Sequence, residues 1–384
     1  MNRIKKILFI FIVSIGCKEA YNPPRTSPDT GYLVVEGFIS SGEAPTSILL
    51  SRTVGLDNNI PAKYEANASV AIEGDNNEHY PLQEGANGLY QSASLTLDRN
   101  TKYRLHISTK DGKEYLSDFT NVKTGPPIDS VSWVRESDGV HIYINTHDPT
   151  GETRYYQWQY EETWEFHSWY TSSLVYARDN NNQITSVVYK YPSHGDDTTI
   201  IKCWKTINSS TINIGSSEKL VEDRIYLPMI FIEQGSIKLS YLYSVNMRQH
   251  ALSKEAYRFL DKMKKNTEQL GSIFDPQPSE LQGNIHCVTS PDEPVIGFVE
   301  VSEEKQERIY ISKAQVPNWG YSPGCTYTEI DNNPDSIRKY GGSLYPATPS
   351  KLGPLDNIIK FNASAPTCID CTLMGTNQKP SFWP

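Results

Sequence analysis

Alternation of apolar and polar residues dominates the chain. In KYRLHIST, Tyr103, Leu105 and Ile107 fall on one side and Arg104, His106 and Ser108 on the other, the period of a half-buried strand. Similar runs, YLVVEGFI, PTSILLSRTV, ASVAIEG, GLYQSASL and EYLSDF, fill the chain from Tyr32 to Phe119. Their spacing of roughly ten residues is that of a sandwich. Between them Gly74 with Asp75, Gly85 to Gly88, and Asp111 with Gly112 tolerate the backbone of tight turns. The run Lys123-Thr124-Gly125-Pro126-Pro127 cannot continue a ladder and sets a boundary near Gly125.

Beyond it, SVSWV, GVHIYIN, LVYA and ITSVVYKY continue the strand pattern, the last two flanking Asp179 to Asn182 as a protruding hairpin. In RYYQWQYEETWEFHSWY, Tyr156, Trp158 and Tyr160 alternate. In IKLSYLYSVNMRQ, Ile237, Leu239, Tyr241, Tyr243, Val245 and Met247 are expected on one face of a single strand. One helix interrupts this region near 253–270. Ser253 would cap it, Glu255 occupies its first turn, Tyr257, Leu260 and Met263 recur at helical spacing, and Gly271 would stop it. Pro276 and Pro278 then force a turn. The expected fold is mainly β: an N-terminal immunoglobulin/transthyretin-like β-sandwich over 31–125, then a larger β-sandwich-like domain over 126–384 with one short helix.

Composition narrows the function classes. The chain has 384 residues, 38% of them apolar and 21% charged, with a mean hydropathy of -0.51. That is too little apolar surface for a helical membrane bundle and enough to fold. A net charge of -9 argues against a nucleic-acid partner, which needs a basic face. The 24 Tyr, 24 Gly and 24 Pro favour strands and turns over helices.

The first residues, MNRIKKILFIFIVSIGC, place Arg3, Lys5 and Lys6 before the apolar run Ile7 to Ile15, too short to span a bilayer and shaped like an export signal over 1–16. Ser14, Gly16 and Cys17 resemble a lipobox, with Cys17 the acylated residue; the alternative is an ordinary secretory signal with a coincidental cysteine. Lys18 and Glu19 resemble the export tag of Bacteroidota surface lipoproteins, and 17–30 reads as an extended, Pro-stiffened tether. Acyl chains on Cys17 would anchor the protein without a span.

The other cysteines are Cys203, Cys287, Cys325, Cys368 and Cys371. Five thiols in an oxidising compartment allow two disulfides. The expected pairs are Cys203 with Cys287, and Cys325 with either Cys368 or Cys371. The C-x-x-C at Cys368 and Cys371 lacks a thioredoxin context and a second metal-ligand pair, so it reads as a structural clasp.

No nucleophile elbow, phosphate loop or zinc-protease motif occurs. Glu161, Glu162 and Glu165 beside Trp164 are the nearest thing to a glycosidase carboxylate pair, and solvated glutamates explain them as well. The Asn/Asp clusters at Asp57 to Asn59, Asp75 to Asn77 and Asp179 to Asn182 read as turns, not calcium loops. No catalytic residue, metal or cofactor is expected. Trp158 and Trp164 read as core; Trp169 and Tyr170, with the 172–191 hairpin, are the expected ligand face for a glycan or peptide.

Several strings resemble one family, the Bacteroidota lipoproteins called domain of unknown function forty-two forty-nine: the lipobox, the strand Ala68 to Ile72 followed by Gly88-Leu89-Tyr90, YYQWQYEETWE, Cys203-Trp204-Lys205, SKEAYRFLDKMKKNTEQLGSIFDPQPSELQGNIHC, PVIGFVEVS with ERIYIS, and CIDCTLMGTNQKPSFWP. The likeness runs over about residues 28 to 384. It implies a lipid-anchored outer-membrane protein, facing the cell surface or the periplasm, that accompanies a TonB-dependent β-barrel transporter. It supplies no catalytic residues. The expected function is therefore an accessory protein that helps capture or gate the transporter's cargo. Alternatives are a free-standing glycan- or peptide-binding lipoprotein, and a hydrolytic enzyme.

Overall fold

The computed structural model describes residues 31–54, 61, 63–268, 283–340 and 342–384. The signal, Cys17, the tether, the Asp57 to Asn59 cluster, the helix stop at Gly271 and the turn at Pro276 and Pro278 lie outside the described residues. The protein is mainly β, as its alternation predicts. No helix among the described residues is long and apolar enough to cross a membrane.

Eight strands close a ring. Leu33–Ser41 pairs Pro45–Arg52, and the path continues through Leu89–Ser94, His79–Glu84, Ser69–Gly74, Lys102–Ser108 and Thr120–Lys123 to Val301–Glu303. Val301–Glu303 then pairs in parallel with Leu33–Ser41 and closes it. The result is a barrel-like closed sheet, which the strand pattern of 31–125 alone does not reveal. Its interior is aliphatic with a few tyrosines: Leu33, Ile48, Leu50, Ile72, Tyr103, Leu105 and Ile107 are buried together. Each large aliphatic side chain so buried contributes about 1.5–3 kcal/mol. The inward set on Lys102–Ser108 is the one its alternation predicts.

Leu33–Ser41 has two successive partners along one edge, Val295–Gly297 at its start and Val301–Glu303 at its end. Gly37 lies between them, with φ +134°, and a Cβ there would fall 2.2 Å from the Ser47 carbonyl oxygen. Only glycine fits that position.

The boundary near Gly125 marks where the chain leaves the ring, but the first unit does not end there. Ile285–Cys287 pairs Glu114–Ser117, and the chain returns to complete the ring with Val301–Glu303. The stretch from 128 to 251 is accordingly inserted between strands of the first unit, and together with the residues after Glu303 it forms a second region that divides further. A three-stranded sheet (Ile128–Arg135, Gly139–His147, Arg224–Glu233) and a five-stranded sheet (Tyr155–His167, Lys202–Asn208, Asn213–Ser216, Leu242–Ala251, Lys305–Ser312) share one core. A smaller sheet (Thr328–Asp331, Tyr345–Leu352, Ile358–Ser364) packs against the hairpin of Leu174–Arg178 and Ile184–Tyr189.

Trp158 and Trp164 are both core. Trp158 is 1% exposed, and its Nε1–H donates to Gln249 Oε1 at 2.8 Å. The Gln249 amide in turn donates to the Pro126 carbonyl at 3.0 Å and to Thr146 Oγ1 at 3.2 Å. One buried amide thus ties the two sheets together with every partner satisfied.

The single strand expected over 237–247 is corrected. Ile237–Leu239 is a 3-10 turn, capped by Ser236, and the strand begins only at Leu242. Tyr243, Val245 and Met247 are buried as expected, whereas Tyr241 precedes the strand and is exposed. The turn forms because Lys238 reaches back to the buried Glu162 at 2.7 Å while Leu239 enters the core.

The helix, Lys254–Glu268, starts where its cap predicts, the Ala256 N–H donating to Ser253 Oγ at 3.0 Å. The Ser253 N–H donates to Glu300 Oε2 at 2.9 Å, which fixes the helix start to the segment between the two parallel partners of Leu33–Ser41. Ala256 and Phe259 are its buried residues, with Tyr257 and Leu260 only partly buried.

Candidate functional site

The expected disulfide between Cys203 and Cys287 is not formed. Cys287 is buried and free in the first unit, on a strand paired with Glu114–Ser117. Cys203 belongs to the five-stranded sheet and bonds Cys371 instead. The second expected bridge is formed with Cys368, between Cys325 and Cys368. The C-x-x-C is therefore a clasp whose two cysteines grip different parts of the molecule: Cys371 the five-stranded sheet, Cys368 the approach to the small sheet.

That clasp supports the segment leaving strand Tyr155–His167. The Ser168 N–H donates to the Ile201 carbonyl at 2.8 Å and the Tyr170 N–H to the Cys368 carbonyl at 2.9 Å. Tyr170 donates its hydroxyl to the Cys325 carbonyl at 3.1 Å and stacks on Tyr327 at 3.7 Å. It is half-buried support for the disulfide, which removes it from the expected ligand face. Trp169, between these two anchored residues, is 51% exposed. Its backbone is held and its indole is free.

Trp169 borders a cavity of about 430 Å³ lined also by His167, Ser168, Ser240, Tyr241, Lys313 and Tyr321. This volume lies within the range of small-ligand sites, about 300–1,000 Å³. His167 stacks on Tyr241 at 3.7 Å, and its Nε2 lies 2.9 Å from Glu165 Oε1. The far wall is the turn Pro317 to Tyr321. There Gln234 holds the Asn318 and Trp319 carbonyls, and the Trp319 indole donates to the Ser236 carbonyl at 2.7 Å. Burial pushes the Tyr321 hydroxyl pKa up, so it stays protonated, a donor at neutral pH. Ser168 Oγ and Ser240 Oγ are buried without a hydrogen-bond partner among the described residues.

The glutamates of the aromatic strand do not converge on a cleft. Glu161 pairs Arg308 at 2.9 Å. Glu162, 4% exposed, binds Lys238 and the Tyr243 hydroxyl at 2.7 and 2.8 Å. Glu165 accepts from Lys202, His167 and the Trp383 indole. Burial alone would raise its pKa, but these three donors together hold it below the usual carboxylate range. Each carboxylate serves a structural pair.

The hairpin over 174–189 is present, with Asn182 at φ +61° in its turn. Its inner residues Leu174 and Val187 are core, so only an outer face with Val175 and Val188 is exposed. Asp75 to Asn77 is likewise a turn. A larger cavity of about 750 Å³ beside Arg52 is lined by charges of both signs. There Arg52 pairs Glu65 at 2.5 Å and Lys113 pairs Glu293 at 2.5 Å, and the groups neutralise one another. Among the described residues, Glu136, Asp138 and His141 bring three ligand atoms within 4.8 Å on an exposed turn.

Sequence reasoning missed Tyr241, Ser240 and the Trp319 to Tyr321 wall. The signal was present in PNWGY, where aromatic residues sit among turn formers and so outside any strand alternation.

No curated protein matches the chain. A solved structure titled "Complete structure of manganese lipoxygenase of Gaeumannomyces graminis and partial structure of zonadhesin of Komagataella pastoris" aligns over 59% of this chain and 91% of its own at 9% identity. Its TM-score is 0.19, too low to carry an argument. A family model, by contrast, matches residues 18–308, which takes in the ring, the helix and most of the five-stranded sheet and stops before the small sheet and the clasp. The chain belongs to the family described as Domain of unknown function (DUF4249).

Proposed function

We propose that this protein is a lipid-anchored outer-membrane accessory protein of a TonB-dependent β-barrel transporter, facing the cell surface, and that it captures cargo without catalysing a reaction on it. The observation that carries the capture role is Trp169, an exposed indole on a backbone anchored at both neighbours beside a cavity of small-ligand size. Acyl chains on Cys17 and the 17–30 tether supply the anchor in this reading. The ring of the first unit, read as a flattened immunoglobulin/transthyretin-like module, serves as a spacer. Removal of 1–16 leaves 33 basic and 45 acidic residues, a balance that keeps the body off an anionic membrane.

Pull-down of the protein from detergent-solubilised outer membranes should bring a large β-barrel with it, and Cys17→Ala should move the protein out of the membrane fraction. Recovery of the protein alone, even after crosslinking, would contradict the transporter role. The second reading is a free-standing glycan- or peptide-binding lipoprotein. The same cavity favours it, and it predicts ligand binding with no barrel recovered.

A further inference from the structure

We propose that the cavity beside Trp169 is a saccharide site that takes one pyranose ring of a glycan chain; this deepens the capture role and rests on it. A pyranose has two chemically different surfaces, apolar C–H faces and a rim of hydroxyls. The cavity offers a match to each. The exposed indole of Trp169 supplies a flat apolar surface, and an aromatic ring with a polar rim suits such an amphipathic partner.

The polar match comes from the serines. Ser168 Oγ and Ser240 Oγ are buried in the cavity wall with no partner among the described residues, and each hydroxyl has one donor and two acceptor positions to fill. Meeting a ligand hydroxyl requires either side chain to turn about χ1 from its buried position, and only a polar ligand rewards that turn. The protonated Tyr321 hydroxyl adds a donor on the opposite wall. No carboxylate is among the described residues lining the cavity, and Lys313 is its one lining amine. That lining offers no counter-charge for a basic peptide and suits uncharged and acidic sugars.

The platform is preformed. His167, oriented by Glu165, stacks beneath Tyr241, and the Cys325–Cys368 bridge fixes the segment carrying Trp169. Little ordering is then needed on binding, so the site can select a ring without folding around it.

The test is a titration of the full-length lipoprotein in detergent with maltohexaose, mannohexaose, xylohexaose, chitohexaose and a polygalacturonate oligomer, read by tryptophan fluorescence and calorimetry, with a casein peptide digest as the competing probe. At least one saccharide should bind with Kd below about 1 mM. Trp169→Ala should weaken it about tenfold or more, Trp169→Phe should restore part of the loss, and Ser240→Ala should weaken it severalfold, all with unchanged melting temperature. Saccharide binding that ignores Trp169→Ala, binding of peptides only, or no binding at all would overturn the proposal. The transporter role is judged separately, since recovery of the barrel by a protein that binds no saccharide refutes the ligand class and leaves that role standing.

Discussion

The ring and the inserted region hold themselves together by different means. The ring relies on aliphatic packing closed by backbone pairing, and its cysteine, Cys287, is unbridged. The inserted region is aromatic and carries both disulfides. Ion pairing does not separate them: the inserted region buries the Glu162 carboxylate against Lys238, and the ring side buries Arg52 against Glu65. The difference follows from what each must do. A closed sheet has few free edges to protect and can be stabilised by burial alone. A region that displays Trp169 and Tyr241 at its surface gives up that apolar area, and it offsets the loss with covalent constraints.

Changes that separate the two regions should therefore act on one and spare the other. The largest effect is expected from removing the Cys203–Cys371 bridge, which closes a sequence separation of 168. The Cys203→Ala/Cys371→Ala double variant should lose about 4–5 kcal/mol. Removing Cys325–Cys368, with a separation of 43, should cost about 1 kcal/mol less. Thermal unfolding without reductant should show the transition of the inserted region falling in both variants, and the loss of Cys325–Cys368 should also weaken any ligand response at Trp169. A uniform fall of the whole molecule would break the comparison.

Next, Glu162→Ala leaves the buried Tyr243 hydroxyl and the partly buried Lys238 ammonium without their acceptor, at a cost of about 3 kcal/mol. Chemical denaturation should register it in the inserted region. Leu105→Ala, in the interior of the ring, should cost about 2–5 kcal/mol and move only the ring's transition, which proteolysis of the ring strands would report.

The smallest effect is acid sensitivity. Glu165 has a depressed pKa, and the Thr150 hydroxyl with the Thr150 and Thr153 amides outweighs burial to bring Asp148 down to about 2. Carboxyls lowered by folding contribute stability that is complete above their unfolded pKa and lost as pH falls through the folded value. The melting temperature should thus be flat above about pH 5 and fall below about pH 4. Glu165→Gln should start lower and fall less steeply; a parallel fall would mean that Glu165 is not a source of the acid response.

Much of the fold is legible in local pattern. The inward set of Lys102–Ser108, the cap at Ser253 and the hairpin over 174–189 all rest on neighbours in sequence, and alternation, capping and turn chemistry report neighbours. The ring closure does not. Val301–Glu303 is three residues long and pairs in parallel with a strand from the other end of the chain, and nothing in so short a segment specifies a distant partner. Arg224–Glu233 was hidden by Pro228, which sits where its pairing with Gly139–His147 shifts register, the place a strand tolerates proline. At the candidate site the exposed Trp169 was legible because it ends a strand. Tyr241 was not, because a polar pair, Lys238 with Glu162, bends the chain where alternation alone continues it.

The insertion also sets an order of events. During synthesis the ring's opening strands arrive first, but their last partner follows only after the stretch from 128 to 251 has passed. Until then the edge of Leu33–Ser41 that Val301–Glu303 will cover is open, and the aliphatic interior is incomplete. The inserted region, whose strands through Leu242–Ala251 are contiguous in the chain, has most of its sheet available earlier, yet its clasp comes from the final residues. A chain interrupted before Glu303 therefore carries an unfinished sheet edge for quality-control proteases or chaperones to find.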